Sequence, residues 1–273
     1  MSEEVSTGRA ETVLRTALSG TEAATVVCTD ESLLSAGVAA MENLDEADRP
    51  SVQFLASRRA AKRTREDFVT ATTLVEFEEA ETASIRVVDS ESVPEPAVVT
   101  DDAVIPLLRG VPSQTIAVRV VDASLRADYG DAVTDRWDEA AAFDLETFAR
   151  SRFLDGLEEA FGPAFREDFE RGLAAPGTRG SNDVDPVDLL VLFAAKHGEQ
   201  SYELNRWGES FGVASVGKFS QSKRKLEDVG LIDAEKVESG SVGRPRQRLV
   251  LGQDALVDAD PEELVAAMQS VVD

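Results

Sequence analysis

The sequence predicts a mixed α/β N-terminal domain, a helical bridge and a smaller, mainly helical C-terminal domain. Three observations predict it. A length of 273 residues is more than one small module needs. Up to about residue 145, β-branched runs alternate with apolar residues at helical spacing, the pattern of strands and helices in a mixed sheet. A stretch rich in Gly, Pro, Ser and Asn, Gly172–Pro186, then leads into the order helix, helix, turn, helix, strand, loop, strand, helix. The expected boundaries are 1–145 for a sensor or dimerisation domain, 146–180 for bridge and linker, and 181–273 for the last domain.

The N-terminal elements follow from local pattern. Ala10–Leu18 has helical apolar spacing, and Thr25–Thr29 is a short β-branched strand. Glu31–Leu44 places Leu33, Leu34, Val38 and Met41 on one helical side. Ser51–Ala56 reads as a strand. A helix-prone stretch from Arg58 to about Ala83 follows, with a break near Thr70–Thr73. Ser84–Asp89 is another strand, and Pro94 and Pro96 mark a loop. Ala97–Thr100 and Ala103–Leu107, separated by Asp101 and Asp102, read as paired strands. Thr115–Val121 is the last strand, before a helix from Ala123 to about Phe143. The bridge carries Phe148, Phe153, Leu157, Phe161, Phe165 and Phe169 at three- to five-residue steps. That spacing fits a packing helix pair kinked at Gly162-Pro163, or a dimerisation element.

Composition removes several function classes. The only cysteine, Cys28, forbids an internal disulfide, and the only histidine, His197, rules out multi-His metal sites. No run approaches the roughly 20 apolar residues of a membrane span, and the start lacks a secretory signal. A cytoplasmic protein with no membrane partner, no cofactor and no metal is expected. The net charge is −24, and only six of the 28 basic residues are lysine. Such a chain fits a salt-rich, halophilic cytoplasm, where screening relieves carboxylate repulsion. An acidic mesophilic protein with basic partners is the alternative.

In the last domain, Asp185-Pro186 supplies an N-cap and a first-turn proline. Val187, Leu190, Val191 and Ala194 then form a buried helical face. A second helix runs from about Tyr202 to Phe211, Gly212 suits a left-handed turn, and Ser215 caps a third helix stopped by Gly230. On the third helix Phe219, Leu226 and Val229 point inward. Gly217, Gln221 and Arg224, flanked by Lys218 and Lys225, point outward. Residues 214–226 hold four basic residues and no acid, and 239–250 hold three, Arg244, Arg246 and Arg248, again with no acid. These islands carry +7, which leaves −31 on the rest of the chain. Nucleic-acid phosphate is the simplest reason for them.

The spacing from Phe211-Gly212-Val213 to Leu226–Ile232 resembles the winged helix-turn-helix of prokaryotic regulators. In that resemblance Leu231–Val237 and Arg248–Leu251 flank a wing loop, Glu238–Gln247. Its tip, Gly243-Arg244-Pro245-Arg246, is similar to minor-groove AT-hook peptides. The whole chain, with its acidity and domain order, resembles the haloarchaeal TbsP-type (TrmB-suppressor-like) transcriptional regulators. This implies an archaeal source and control of central-carbon metabolic genes. The segment Ser84–Leu107 and the helix with Trp137-Asp138-Glu139-Ala140 also resemble the effector domain of archaeal TrmB-type sugar regulators.

The expected partner is double-stranded promoter or operator DNA, bound by a homodimer on two half-sites. Gln221 and Arg224 are the expected base readers, for adenine and guanine respectively. Ser215 caps the reading helix, Lys218, Lys223 and Lys225 hold phosphates, the wing arginines Arg244 and Arg246 reach the minor groove, and Arg248 on the flanking strand joins the DNA-binding set. A third basic island, Ser57–Arg65, follows a strand, with Ser57 placed to cap the next helix. It reads either as ion pairs with neighbouring carboxylates, or as a site where Ser57, Arg58, Arg59 and Arg63 take a small anionic metabolite or a second stretch of DNA. Gly212–Phe219 nearly spells a phosphate-binding loop, but Phe219 stands where the magnesium-binding hydroxyl belongs and a helix, not a strand, precedes it. No enzyme motif is recognised. An α/β enzyme with accessory DNA binding and an architectural DNA protein are the rival readings.

Overall fold

The computed structural model describes residues 5–89, 92–109, 114–176, 178, 184–237 and 246–272. The chain divides into two contact units, Met1–Arg150 and Ser151–Asp273.

The first unit is built on one mixed sheet of eight strands. In its middle β2 (Ala23–Cys28), β3 (Ser51–Ser57) and β4 (Ala83–Val88) run parallel. Beyond β2 the sheet continues antiparallel through β5 (Ala97–Thr100), β6 (Val104–Arg109) and β7 (Thr115–Val118) to β1 (Val5–Gly8). β8 (Ala141–Ala142) closes the other edge, antiparallel to β4. One face carries α1 (Ala10–Leu18), α2 (Glu31–Glu42) and α4 (Phe68–Glu79), which bury Leu14, Leu34, Met41 and Leu74 with Val26, Phe54, Ile85 and Ile105. The opposite face carries α5 (Ala123–Glu139), whose Val133 and Trp137 pack on Val27 and Leu55. Alternation along β2 and β3 makes this division: Val26 and Phe54 face one way, Val27 and Leu55 the other.

Three local expectations are corrected. β1 was not expected, because four residues reading Val-Ser-Thr-Gly carry no strand pattern. They become a strand only by pairing with β7, Val5 opposite Val118. The long helix breaks at Asp67, not at Thr70–Thr73. Asp67 ends α3 (Arg58–Glu66) and accepts a hydrogen bond from the Thr70 N–H at 3.1 Å to start α4. The helix expected to reach Phe143 stops at Glu139, since Ala141 and Ala142 pair with β4.

The second unit begins with the expected bridge. α6 (Arg150–Phe161) and α7 (Pro163–Ala174) are separate helices broken at Gly162, with Pro163 in the first turn of α7. They pack into the unit rather than joining two others. α7 lies on α8 (Pro186–Lys196) and α11 (Pro261–Val272). Phe153 of α6 stands 5.4 Å from Phe169, 5.6 Å from Trp207 and 5.9 Å from Phe211, and Phe161 stands 5.5 Å from Trp207, between ring centroids. Trp207 and Phe211 belong to α9 (Ser201–Phe211). Gly172, expected in the linker, is a buried residue of α7. The wholly buried stretch Val187–Ala195 makes α8 the core of the unit. α10 (Val216–Asp228) follows, and β9 (Ile232–Val237) pairs antiparallel with β10 (Arg246–Leu251).

These contacts set the fragment that folds alone. A fragment 151–273 should give cooperative unfolding by circular dichroism in molar salt. A fragment starting at residue 181, which lacks the aromatic partners of Trp207 and Phe193, should lose that transition.

Candidate nucleic-acid interface

α9, the following turn and α10 form a helix-turn-helix. Gly212 ends α9 with φ +86°, a left-handed conformation that costs glycine little. The Val213 N–H returns to the Gly208 carbonyl at 2.8 Å, closing the helix end. Ser215 then caps α10, its hydroxyl accepting from the Lys218 N–H at 3.3 Å. Gly208 lets the two helices approach: a Cβ there would clash with the Phe219 ring. Phe219, Ser222 and Leu226 are the buried side of α10.

A buried carboxylate fixes the rotation of α10. Asp188 of α8 is 3% exposed. It accepts hydrogen bonds from the Ser222 hydroxyl and from Lys225 Nζ, the latter at 2.7 Å. With Ser222 and Leu226 turned inward, Gly217, Ser220, Gln221 and Arg224 are turned out. Gln221 and Arg224 lie three residues apart on this open face, and neither makes a hydrogen bond or ion pair with any described residue.

The lysines behave otherwise. Lys218 pairs with Asp185, the N-cap of α8, and that hydrogen bond raises its pKa above the ordinary lysine value. Lys223 is 16% exposed, held by Glu227 at 3.0 Å and by the Gln247 side-chain oxygen at 3.0 Å. Lys225 is held by Asp188. The run without acids in the sequence is therefore surrounded in space by Asp185, Asp188 and Glu227.

The arginines of the hairpin separate. Arg244 and the loop tip lie outside the described residues. Arg246 lies at the base of the hairpin over the Tyr202 ring, 5.4 Å from its centroid, with Glu203 at 3.5 Å. Arg248 is exposed farther along β10, bridged through its backbone to Gln200. It lies near Glu199, whose carboxyl is held above its ordinary range by burial and by Glu203. Between α9, α10 and the hairpin runs an open groove of about 920 Å³. Lys223, Arg224, Lys236 and Arg246 line it with one carboxylate, Glu227, beside Tyr202, Asn205, Ser220 and Gln247. Sequence reasoning missed Tyr202, Asn205, Ser220, Lys236 and Gln247 as lining residues. The available signal was Tyr202, a large aromatic residue on the first turn of α9 that is left 54% exposed.

In the N-terminal unit Ser57 caps α3, accepting from the Ala60 N–H at 3.1 Å and donating to the Thr29 carbonyl at 3.0 Å. Its donor and one lone pair are thus engaged in fixing the start of α3. Arg58 faces Asp89 at 3.9 Å. Arg65 pairs with Glu146 at 2.8 Å. Arg59, Lys62 and Arg63 are exposed on α3 without an ion pair to any described residue. The other singled-out groups are structural. Cys28 is fully buried, which pushes its thiol pKa up and keeps it unreactive. His197 caps α8, with Nε2 2.9 Å from Asp168. Asp102 closes the β5–β6 turn, accepting from the Thr100 hydroxyl at 2.7 Å, which with Arg119 lowers its pKa.

Family comparison decides what this arrangement serves. Residues 2–148 match the TbsP-like transcriptional regulator N-terminal domain, and residues 149–269 match the C-terminal HTH domain of the same family. The chain belongs to the TbsP-like transcriptional regulators. It is a DNA-binding transcriptional regulator, with an α/β N-terminal domain and a C-terminal helix-turn-helix. The family division at 148/149 falls beside the contact division at Arg150, with α6 and α7 on the DNA-binding side. Among solved structures, similarity is found to TrmBL2, described as an archaeal chromatin protein with a novel mode of DNA binding. Identity is 13%, over 52% of this chain and 54% of that one, with a TM-score of 0.37. A phospholipase D family member, Nuc from Salmonella typhimurium, is similar at 13% identity over 52% of this chain and 99% of that one, with a TM-score of 0.38. Both scores are too low to carry over an activity. A search of curated proteins gave no match. No helix among the described residues is long and apolar enough to cross a membrane.

The paired lysines bear on salt dependence. A phosphate reaching Lys218 or Lys223 meets a carboxylate already there, so binding brings like charges together unless solution cations enter. DNA affinity measured from about 0.5 M potassium chloride upward, where circular dichroism shows a folded protein, should fall little or even rise. The steep loss expected for six to ten phosphate contacts would contradict this.

Proposed function

We propose that this regulator reads its operator through the open face of α10. Gln221 is the adenine reader and Arg224 the guanine reader in the major groove, and the base of the hairpin lies along the backbone. The observation that carries this reading is the freedom of Gln221 and Arg224 on a helix whose other basic side chains are all held by carboxylates. Val216, 40% exposed at the start of the helix, suits a thymine methyl group. Ser215 fixes the helix start. Lys218 and Lys223 act at phosphates after exchanging their carboxylate partners, Lys225 through the donors that Asp188 leaves free, and Arg248 beside them, while Arg244 and Arg246 reach the minor groove.

One reading helix per chain covers one half-site, so the regulator acts as a homodimer on paired half-sites. The excess of carboxylates and the scarcity of lysine support a salt-rich cytoplasm. The TbsP resemblance supports central-carbon genes as targets and a regulatory rather than an enzymatic N-terminal unit. In that unit Arg58, Arg59 and Arg63 form the face suited to a small anionic metabolite, with Lys62 beside them.

Two measurements test these assignments. Arg224→Ala and Gln221→Ala should each cost about 1–3 kcal/mol at a cognate site and relax sequence preference. An equal loss on cognate and random DNA would remove that residue from base reading. Calorimetric titration with phosphorylated sugars should give heat with the full chain and none after Arg59→Ala and Arg63→Ala. An unchanged signal in that variant would place the metabolite elsewhere.

A further inference from the structure

The two faces of the N-terminal sheet are covered unequally. On one face the helical layer extends over the antiparallel strands, burying Leu107 of β6 and Ala117 of β7. On the other, α5 packs on Val27 and Leu55, reaches Val99 of β5 and the buried start of β6 at Val104, and leaves the far end of β6 with β7 and β1 less covered. The outward residues of β6, β7 and β1 on that side follow from alternation: Leu108, Ile116 and Thr7 lie across from one another, and Val118 lies opposite Val5. Val5 is 58% exposed and Leu108 56%. The bridge between Val104 and Val120 brings the start of α5 alongside, adding Val121 at 47% and Leu125 at 60% exposure. Four of the eight exposed large apolar side chains among the described residues therefore belong to one patch. Clustered exposure of this kind marks an interaction surface.

We propose that this less covered sheet face, with the β1 edge, is the surface through which two copies of the chain form a homodimer. The proposal rests on the homodimer reading above and deepens it by naming the surface. Charge selects the occupant. None of the seven residues of the patch is charged, in a chain carrying −24. Two copies repel wherever carboxylates meet, and contact through this face brings none of these side chains into like-charge opposition. A basic partner would be drawn to the carboxylates instead. β1 is also the outermost strand, with its second edge unpaired among the described residues. An edge strand can pair antiparallel with its own copy across a two-fold axis, an isologous contact that closes and leaves no open edge on either copy.

The test is sedimentation equilibrium of the full chain in molar potassium chloride, with the variants Leu108→Glu and Leu125→Glu. Both sites are exposed, so each variant should keep the circular dichroism spectrum of the wild type. The wild type should be a dimer, and each variant should weaken association about tenfold or more. A second measurement does not depend on those variants. Cys28 is fully buried, so Val5→Cys introduces the one accessible thiol, and a short bis-maleimide should link two copies through it. A monomeric wild type that still binds DNA would overturn the interface and leave the regulator reading standing. A dimer unaffected by both glutamates and not linked through Val5→Cys would keep the homodimer and move it to another surface.

Discussion

Asp188 is a carboxylate in a helix that is otherwise a hydrophobic core, flanked by Val187 and Leu189–Ala195, all buried. A charge in that position is tolerated only when donors surround it. The donors come from one place, Ser222 and Lys225 on α10. Three residues apart, they lie on one side of the helix, so satisfying Asp188 sets the rotation of α10 about its own axis. Phe219 packed against Gly208 sets how closely α10 approaches α9. The outward direction of Gln221 and Arg224 is the other half of the same constraint. The aromatic residues of α6 and α7 act one layer out, holding α9 through Trp207 and Phe211.

Charge on this unit is arranged in pairs. Asp185, Asp188, Glu203 and Glu227 each hold a cation near the groove. The exposed pairs, Lys218 with Asp185 and Arg246 with Glu203, contribute little stability, so these cations can change partner at small cost, whereas Lys225 stays on the buried Asp188. Exchange with DNA leaves a carboxylate beside a phosphate, an arrangement that abundant solution cations make tolerable. The face is thus poor in free positive charge, and weak bulk attraction to DNA is expected. In the proposed reading, discrimination between sequences falls to Gln221 and Arg224 at base edges.

The local grammar of the chain was legible. Asp185-Pro186, Gly212, Ser215 and Gly230 punctuate the C-terminal helices as their chemistry requires, and the alternation of β-branched runs with helical spacing gave the mixed sheet. The inward set Phe219 and Leu226 and the outward pair Gln221 and Arg224 followed from a 3.6-residue period. What failed locally were elements without a pattern of their own. β1 and β8 exist because β7 and β4 offer them an edge, and Asp67 is one acid among many until it caps α4.

The sequence by itself determined the order of the patterned elements, the DNA-binding motif and the identity of its open helical face, because periodicity, capping and turn residues act over a few positions. Tertiary structure alone decided the partners. Lys225 and Asp188 are 37 residues apart and Arg246 and Glu203 are 43 apart, so no window of the sequence could pair them. The same holds for the aromatic helices, read as a bridge and found inside the DNA-binding unit, and for the end of the sheet that α5 covers least. Burial and charge pairing depend on which surfaces meet, and that is settled only when distant segments pack.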